Sequence, residues 1–144
     1  MRRRRRIIAA IGASGALALV LTATATATAI RPAASVIASS AELGAGGRIV
    51  HLRGTVRCEA CTRFTLGATV SQGKTGAVGQ GGVRCVCTNR DEHWIVTART
   101  REATRFRAGG ARVCVWIIAR GAGGTAIDAR QWCEDVTLRS AVTT

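Results

Sequence analysis

The chain has 144 residues, with 21 Lys or Arg against 8 Asp or Glu, a formal charge of +13, six cysteines and no tyrosine. That length fits a single domain with a modest core, and the charge speaks to anionic partners rather than to a fold. Two Phe and three Trp are too few for the stacking platform that single-stranded nucleic acid requires.

Met1 is followed by five arginines, Arg2 to Arg6, then an apolar stretch from Ile7 to Leu21 and a small-residue run from Thr22 to Ala29. A basic start, a short apolar stretch and an A-x-A exit are the parts of a secretory signal peptide, here residues 1–29. Ala27-Thr28-Ala29 places cleavage before Ile30, and earlier A-x-A triplets in the same repeat offer neighbouring sites. The adjacent arginines also permit twin-arginine export. The alternative is an uncleaved membrane anchor, but the apolar stretch is shorter than the roughly 20 residues a spanning helix needs. Removing residues 1–29 takes away five arginines and no acidic residue, so the exported part stays basic. Residues 30–47, with Pro32 and runs of Ala, Ser and Gly, show no sustained period and read as a flexible linker. The domain then spans 48–144.

From Arg48 onward the period is two. Val50, Leu52, Val56 and Cys58 share one face, opposite His51, Arg53, Thr55 and Arg57. Phe64, Leu66, Ala68 and Val70 form a second alternating run, closed by a turn at Gln72-Gly73-Lys74-Thr75-Gly76. Val83, Cys85 and Cys87 share a face of a third strand. Trp94, Val96 and Ala98 face inward from a fourth, with Arg99 and Arg101 facing out. Val113 to Ala119, apolar on both faces, reads as a central fifth strand, with Trp94 and Trp116 in the core. A turn at Gly121–Gly124 leads to a last strand over Thr125–Leu138, broken near Cys133. No helical period follows residue 47. The expected fold is all-β, an antiparallel Ig-like sandwich of six to seven strands with disulfides. Lack of tyrosine removes the tyrosine corner of true immunoglobulin domains.

Gly-Thr-Val-Arg-Cys at 54–58, Val-Arg-Cys at 83–85, Trp94 opening a strand, Phe106-Arg107-Ala108-Gly109 before an apolar strand, and Val136-Thr137-Leu138-Arg139 resemble families of small secreted bacterial Ig-like β-sandwich domains. The resemblance spans roughly residues 48–139. It implies a sandwich fold and export, and brings no catalytic residues.

An even number of cysteines in a short exported chain reads as a disulfide framework. Cys85 and Cys87 lie two apart on one strand, about 6.6 Å between Cα atoms, at the upper limit for a bridge. They therefore take different partners. The pair Cys58/Cys61 is expected to bond to the pair Cys85/Cys87, leaving Cys114 with Cys133. The rival reading is zinc on Cys58, Cys61, Cys85 and Cys87, since four thiolates suit tetrahedral coordination. Export favours oxidation over metal. A thioredoxin-like use of Cys58-Glu59-Ala60-Cys61 lacks the helix that such chemistry needs.

Catalytic patterns are missing: there is no G-x-S-x-G, H-E-x-x-H or P-loop. Asp91-Glu92-His93 reads as a charged turn and His51 as a surface residue. Asp128, Glu134 and Asp135 are candidates for a carboxylate pair, with ion pairing to Arg130 and Arg139 as the plainer account. The sharper signal is basic: Arg99, Arg101, Arg105, Arg107 and Arg112 fall close together, opposed in that stretch only by Glu102. Guanidinium forks suit phosphate and carboxylate oxygens, although charge at a strand edge also deters aggregation. The expected function is an exported, non-catalytic structural or interaction module. Its expected partners are anionic envelope polymers or lipid headgroups, with no cofactor. A small-molecule carrier with an apolar cleft between sheets and a zinc-binding β-domain are the alternatives.

Overall fold

The computed structural model describes residues 28–31, 34–101 and 103–141. The expected signal peptide thus lies, up to residue 27, outside the described residues, as do Pro32 and Glu102. Eight strands follow one another: β1 (Val36–Ile37), β2 (Ser40–Leu43), β3 (Ile49–Arg57), β4 (Arg63–Gln72), β5 (Ala77–Val86), β6 (Asp91–Thr100), β7 (Gly109–Arg120) and β8 (Ala126–Ser140). The period-two pattern located β3 to β8 correctly, and β8 runs unbroken through Cys133.

The architecture is a closed mixed barrel of seven strand positions, which overturns the antiparallel Ig-like sandwich. β3 pairs with β6 along its whole length, β6 with β5, β5 with β4, β4 with β7 and β7 with β8, all antiparallel. The circuit closes because β2 pairs antiparallel with β3 and parallel with β8, Ser40 opposite Thr137 and Leu43 opposite Ser140. β1 pairs with the same edge of β3 one step further along, so β1 and β2 share one position. Alternation of apolar and polar residues fits a sandwich sheet and a barrel wall equally. Only the pairing register tells them apart.

The expected linker over 30–47 is likewise overturned. It supplies β1, β2 and the short 3-10 turn Ala45–Gly47. Ile30 is fully buried and forms a bridge with Cys58. Ala29 is buried too, and its carbonyl accepts the Glu59 N–H at 2.7 Å. Cleavage before Ile30 would remove that residue from the fold.

Inward residues of every strand fill the barrel: Val50, Leu52 and Val56 from β3, Phe64, Leu66 and Val70 from β4, Trp94 and Val96 from β6, Val113, Val115 and Ile117 from β7, Leu138 from β8. Burial of this apolar surface, at about 25 cal/mol per Å², drives closure. Two glycines admit indole rings. A Cβ on Gly54 would lie 2.2 Å from the Trp94 ring and 2.3 Å from the Val36 carbonyl oxygen, so the inner ring needs glycine there. A Cβ on Gly67 would lie 2.2 Å from Trp116, which crosses it on the outer wall. Trp116 is 42% exposed. Its expected place in the core is therefore wrong, because a barrel wall buries one face only and the other face of β7 is outside. Phe106, buried on the loop between β6 and β7, closes one end of the barrel.

Candidate functional site at the basic rim

The strand directions sort the chain's chemistry to opposite ends of the barrel. The β4–β5 turn (residues 73–76), the β6–β7 loop and the Ala45–Gly47 turn meet at one end. Cys58, Cys61, Cys85 and Cys87, which flank β3, β4 and β5, lie at the other.

The basic end is organised by Gln72, the only polar side chain among the described residues that is fully buried. Its Nε2 donates to the Arg107 carbonyl at 2.8 Å and to the Gly110 carbonyl at 3.3 Å. Its Oε1 accepts the Arg107 N–H at 2.9 Å and the Thr75 hydroxyl at 3.1 Å. One amide thus ties the β6–β7 loop to the β4–β5 turn. A buried amide with all its capacity used fixes local geometry, because any other arrangement strands a donor or acceptor. The Phe106 N–H donates to the Gly47 carbonyl at 2.8 Å, and Arg105 Nη1 to the Gly46 carbonyl at 3.1 Å. These bonds join the third segment to the same loop.

On this frame stand Lys74, Arg99, Arg101, Arg105 and Arg107, all exposed. Lys74, Thr75, Ala103, Arg105 and Arg107 line a surface depression of about 460 Å³. Val78, Gln80, Arg99 and Arg101 line another of about 220 Å³ on the adjoining β5–β6 wall. Among the described residues, none of the five makes an ion pair with a carboxylate. Arg112 differs. It sits on β7, away from β6, and its Nη1 meets Asp135 at 3.0 Å. The five arginines singled out in the sequence therefore do not share one face. Four lie along the rim, Arg112 is paired with Asp135 on another wall, and Lys74 joins from the β4–β5 turn.

The other residues weighed for chemistry do not converge. Asp91 lies 4.0 Å from Arg57, Glu92 accepts from the Thr88 hydroxyl, and His93 is exposed at the start of β6. His51 Nδ1 is 3.3 Å from the Thr97 hydroxyl. Asp128 accepts the Ile30 N–H at 2.9 Å and Asp135 pairs with Arg112, which corrects the expected pairing with Arg130 and Arg139. The carrier alternative calls for a cleft between two sheets, whereas the described strands form one closed wall.

Two disulfides are present, Cys61–Cys87 and Cys114–Cys133. Both fall within the expected grouping, but the second bridge expected between the pairs Cys58/Cys61 and Cys85/Cys87 is not formed. Cys58 and Cys85 are free thiols, Cys58 buried and Cys85 half-buried. The four-thiolate zinc site is not formed in this redox state, because Cys61 and Cys87 are bonded to each other. Burial, with Asp128, Cys85 and Glu92 nearby, pushes the Cys58 thiol up to about 12, and burial also raises that of Cys85. At the same end Glu59 accepts from Arg31 at 2.6 Å and Arg57 at 3.0 Å, and the Arg31 hydrogen bond holds its carboxyl below the usual value. Two disulfides fit an oxidising, extracytoplasmic environment, and among the described residues no helix is long and apolar enough to cross a membrane. The chain matches no family model and no curated protein.

Proposed function

We propose that this protein is an exported, non-catalytic interaction module whose basic rim binds anionic polymers of the cell envelope. The observation that carries this reading is the set Lys74, Arg99, Arg101, Arg105 and Arg107, exposed on and beside a loop frame fixed by Gln72 and without carboxylate partners among the described residues. Arginine that is left unpaired on a rigid frame keeps its guanidinium fork available, and loses little conformational freedom on meeting a phosphate or carboxylate oxygen. The barrel acts as the scaffold, and the two disulfides suit it to an oxidising environment.

The test replaces Lys74, Arg99, Arg101 and Arg107 together with Ser, sparing Arg105 because it also bonds the Gly46 carbonyl. Retention on a purified phosphodiester wall polymer and on a polycarboxylate is measured across a salt series. The expected result is weaker retention with a flatter salt dependence, since fewer counterions are released, while the thermal midpoint stays within a few degrees. Retention equal to wild type would overturn the proposal. Binding to anionic lipid vesicles but not to either polymer would move the partner from polymer to headgroup.

A further inference from the structure

The end of the barrel opposite the basic rim holds an arrangement that the anion-binding reading does not use. The sulfurs of Cys58, Cys61 and Cys87 all lie within 4.8 Å of one another, so a free thiol sits against an intact disulfide. Local backbone explains the convergence. Ala60, inside the Cys58-Glu59-Ala60-Cys61 turn, adopts φ = 54°, and Asn89 adopts φ = 59°. Asn89 Oδ1 accepts the Ala60 N–H at 3.1 Å, and the Cys87 N–H donates to the Thr62 carbonyl at 3.0 Å. The two turns are thereby tied together, which brings Cys61 back over Cys58 and places Cys87 beside both.

We infer that these three sulfurs form an internal thiol–disulfide exchange centre, in which the cross-link passes from Cys61–Cys87 to a bridge that includes Cys58. Cys58 first gives its proton to solvent. Its thiolate sulfur then attacks Sγ of Cys61, the Cys61–Cys87 bond breaks, and Cys87 departs as a thiolate that takes up a proton. The products are a Cys58–Cys61 bridge and a Cys87 thiol. Attack on Cys87 instead yields Cys58–Cys87 and a Cys61 thiol. Either way one disulfide and one thiol are consumed and one of each is formed, so no external oxidant or reductant takes part. Exchange proceeds through the thiolate. Burial first, and then the carboxylates of Asp128 from β8 and Glu92 from β6, oppose a negative charge on Cys58, and Cys85 from β5 adds to this once it ionises. Exchange is therefore held off at neutral pH and speeds up about tenfold per pH unit in the alkaline range. When Cys87 is released it stands two residues from the free Cys85. The two form a pair of neighbouring thiols open to small-molecule disulfides, whereas Cys58 was sealed from them.

The experiment uses the oxidised, folded full-length protein, held at pH 7 or pH 10 with circular dichroism confirming that it stays folded. Samples are quenched in acid, unfolded, alkylated and digested without reduction, and the bridges are read by mass spectrometry. At pH 7 the label is expected on Cys58 and Cys85. At pH 10 it is expected to leave Cys58 and appear on Cys87 or Cys61, about a thousandfold faster than at pH 7, with a peptide pair bridged through Cys58. Cys58→Ser should abolish the migration and Cys85→Ser should preserve it. Label fixed on Cys58 and Cys85 at pH 10 would overturn the inference. So would an oxidised protein with no free thiol, or one whose thiols hold a metal.

Discussion

The two ends of the barrel solve the same mechanical problem in opposite ways. At the cysteine end, loops are held by a covalent bridge and by neutralised charge: Cys61–Cys87, Glu59 between Arg31 and Arg57, and Asp128 on the Ile30 N–H. At the basic end, loops are held by one neutral amide, the Arg105–Gly46 bond and backbone hydrogen bonds, and among the described residues the rim charges have no carboxylate partner. The difference teaches where a function fits. Charge that is consumed in ion pairs stabilises little at a surface and recognises nothing, whereas charge that the fold does not need is free for a partner.

The largest effect expected from breaking this contrast is at the cysteine end. Replacing Cys61 and Cys87 with Ser opens a cross-link across 26 residues, and should cost about 3 kcal/mol of stability in urea unfolding. Replacing Cys114 and Cys133 should cost a comparable amount, because the spacing of 19 residues is similar. Neither change should alter retention on anionic polymer. Next comes Gln72→Ala, which leaves the Arg107 N–H and the Arg107 and Gly110 carbonyls without their partner. About 2 kcal/mol is expected, together with weaker retention, since the arginines lose their frame. A drop in stability with retention unchanged would show that the frame does not matter for binding.

Smaller effects follow from titration. Because the Cys58 thiol is raised in the folded state, its contribution to stability is complete below the ordinary thiol value of 9.0 and is lost as pH climbs from there toward about 12. Alkaline unfolding of wild type should therefore begin earlier than in Cys58→Ala, a comparison readable by fluorescence of the buried Trp94. The Glu59 carboxyl is lowered, so its contribution is present above the ordinary value of 4.5 and is lost as pH falls through its folded value. Glu59→Gln should shift the thermal midpoint slightly at pH 7 and not at pH 2. Intact mass of the protein recovered outside the cytoplasm tests the proposed export and reads the N-terminus. Retention of Ala29, with Thr28 as the first residue after Ala25-Thr26-Ala27, is the outcome expected from the Ala29 carbonyl bond to Glu59.

Much of the wall was legible in the sequence. Val50, Leu52 and Val56, or Phe64, Leu66 and Val70, announce strands because alternation is a local property of each segment. Closure was not legible. It depends on Ser40–Leu43 meeting both His51 and Thr137, and those three stretches carry no common pattern. The segment before Arg48 misled for the same reason: strands of two and four residues are too short to display a period. Trp116 misled because a run that is apolar on both faces reads as buried on both faces. At the candidate site the arginine cluster was visible as composition, but Gln72 was not, since a buried amide in a polar turn looks like any other turn residue. Its signal was the alternation itself, which puts Gln72 in phase with Phe64, Leu66, Ala68 and Val70 and therefore inside.

The parallel contact between β2 and β8 also sets the order in which the chain can fold. The β4–β5 and β7–β8 hairpins need only neighbouring residues and can form as soon as both their strands are free. Residues 40–43 must wait for residues 137–140, which lie at the far end of the domain, and the entropy of that closure is met only once. A chain without that contact would present two unsatisfied sheet edges, the form most able to pair with another copy of itself. A chain clipped just before Thr137 would remain in that state.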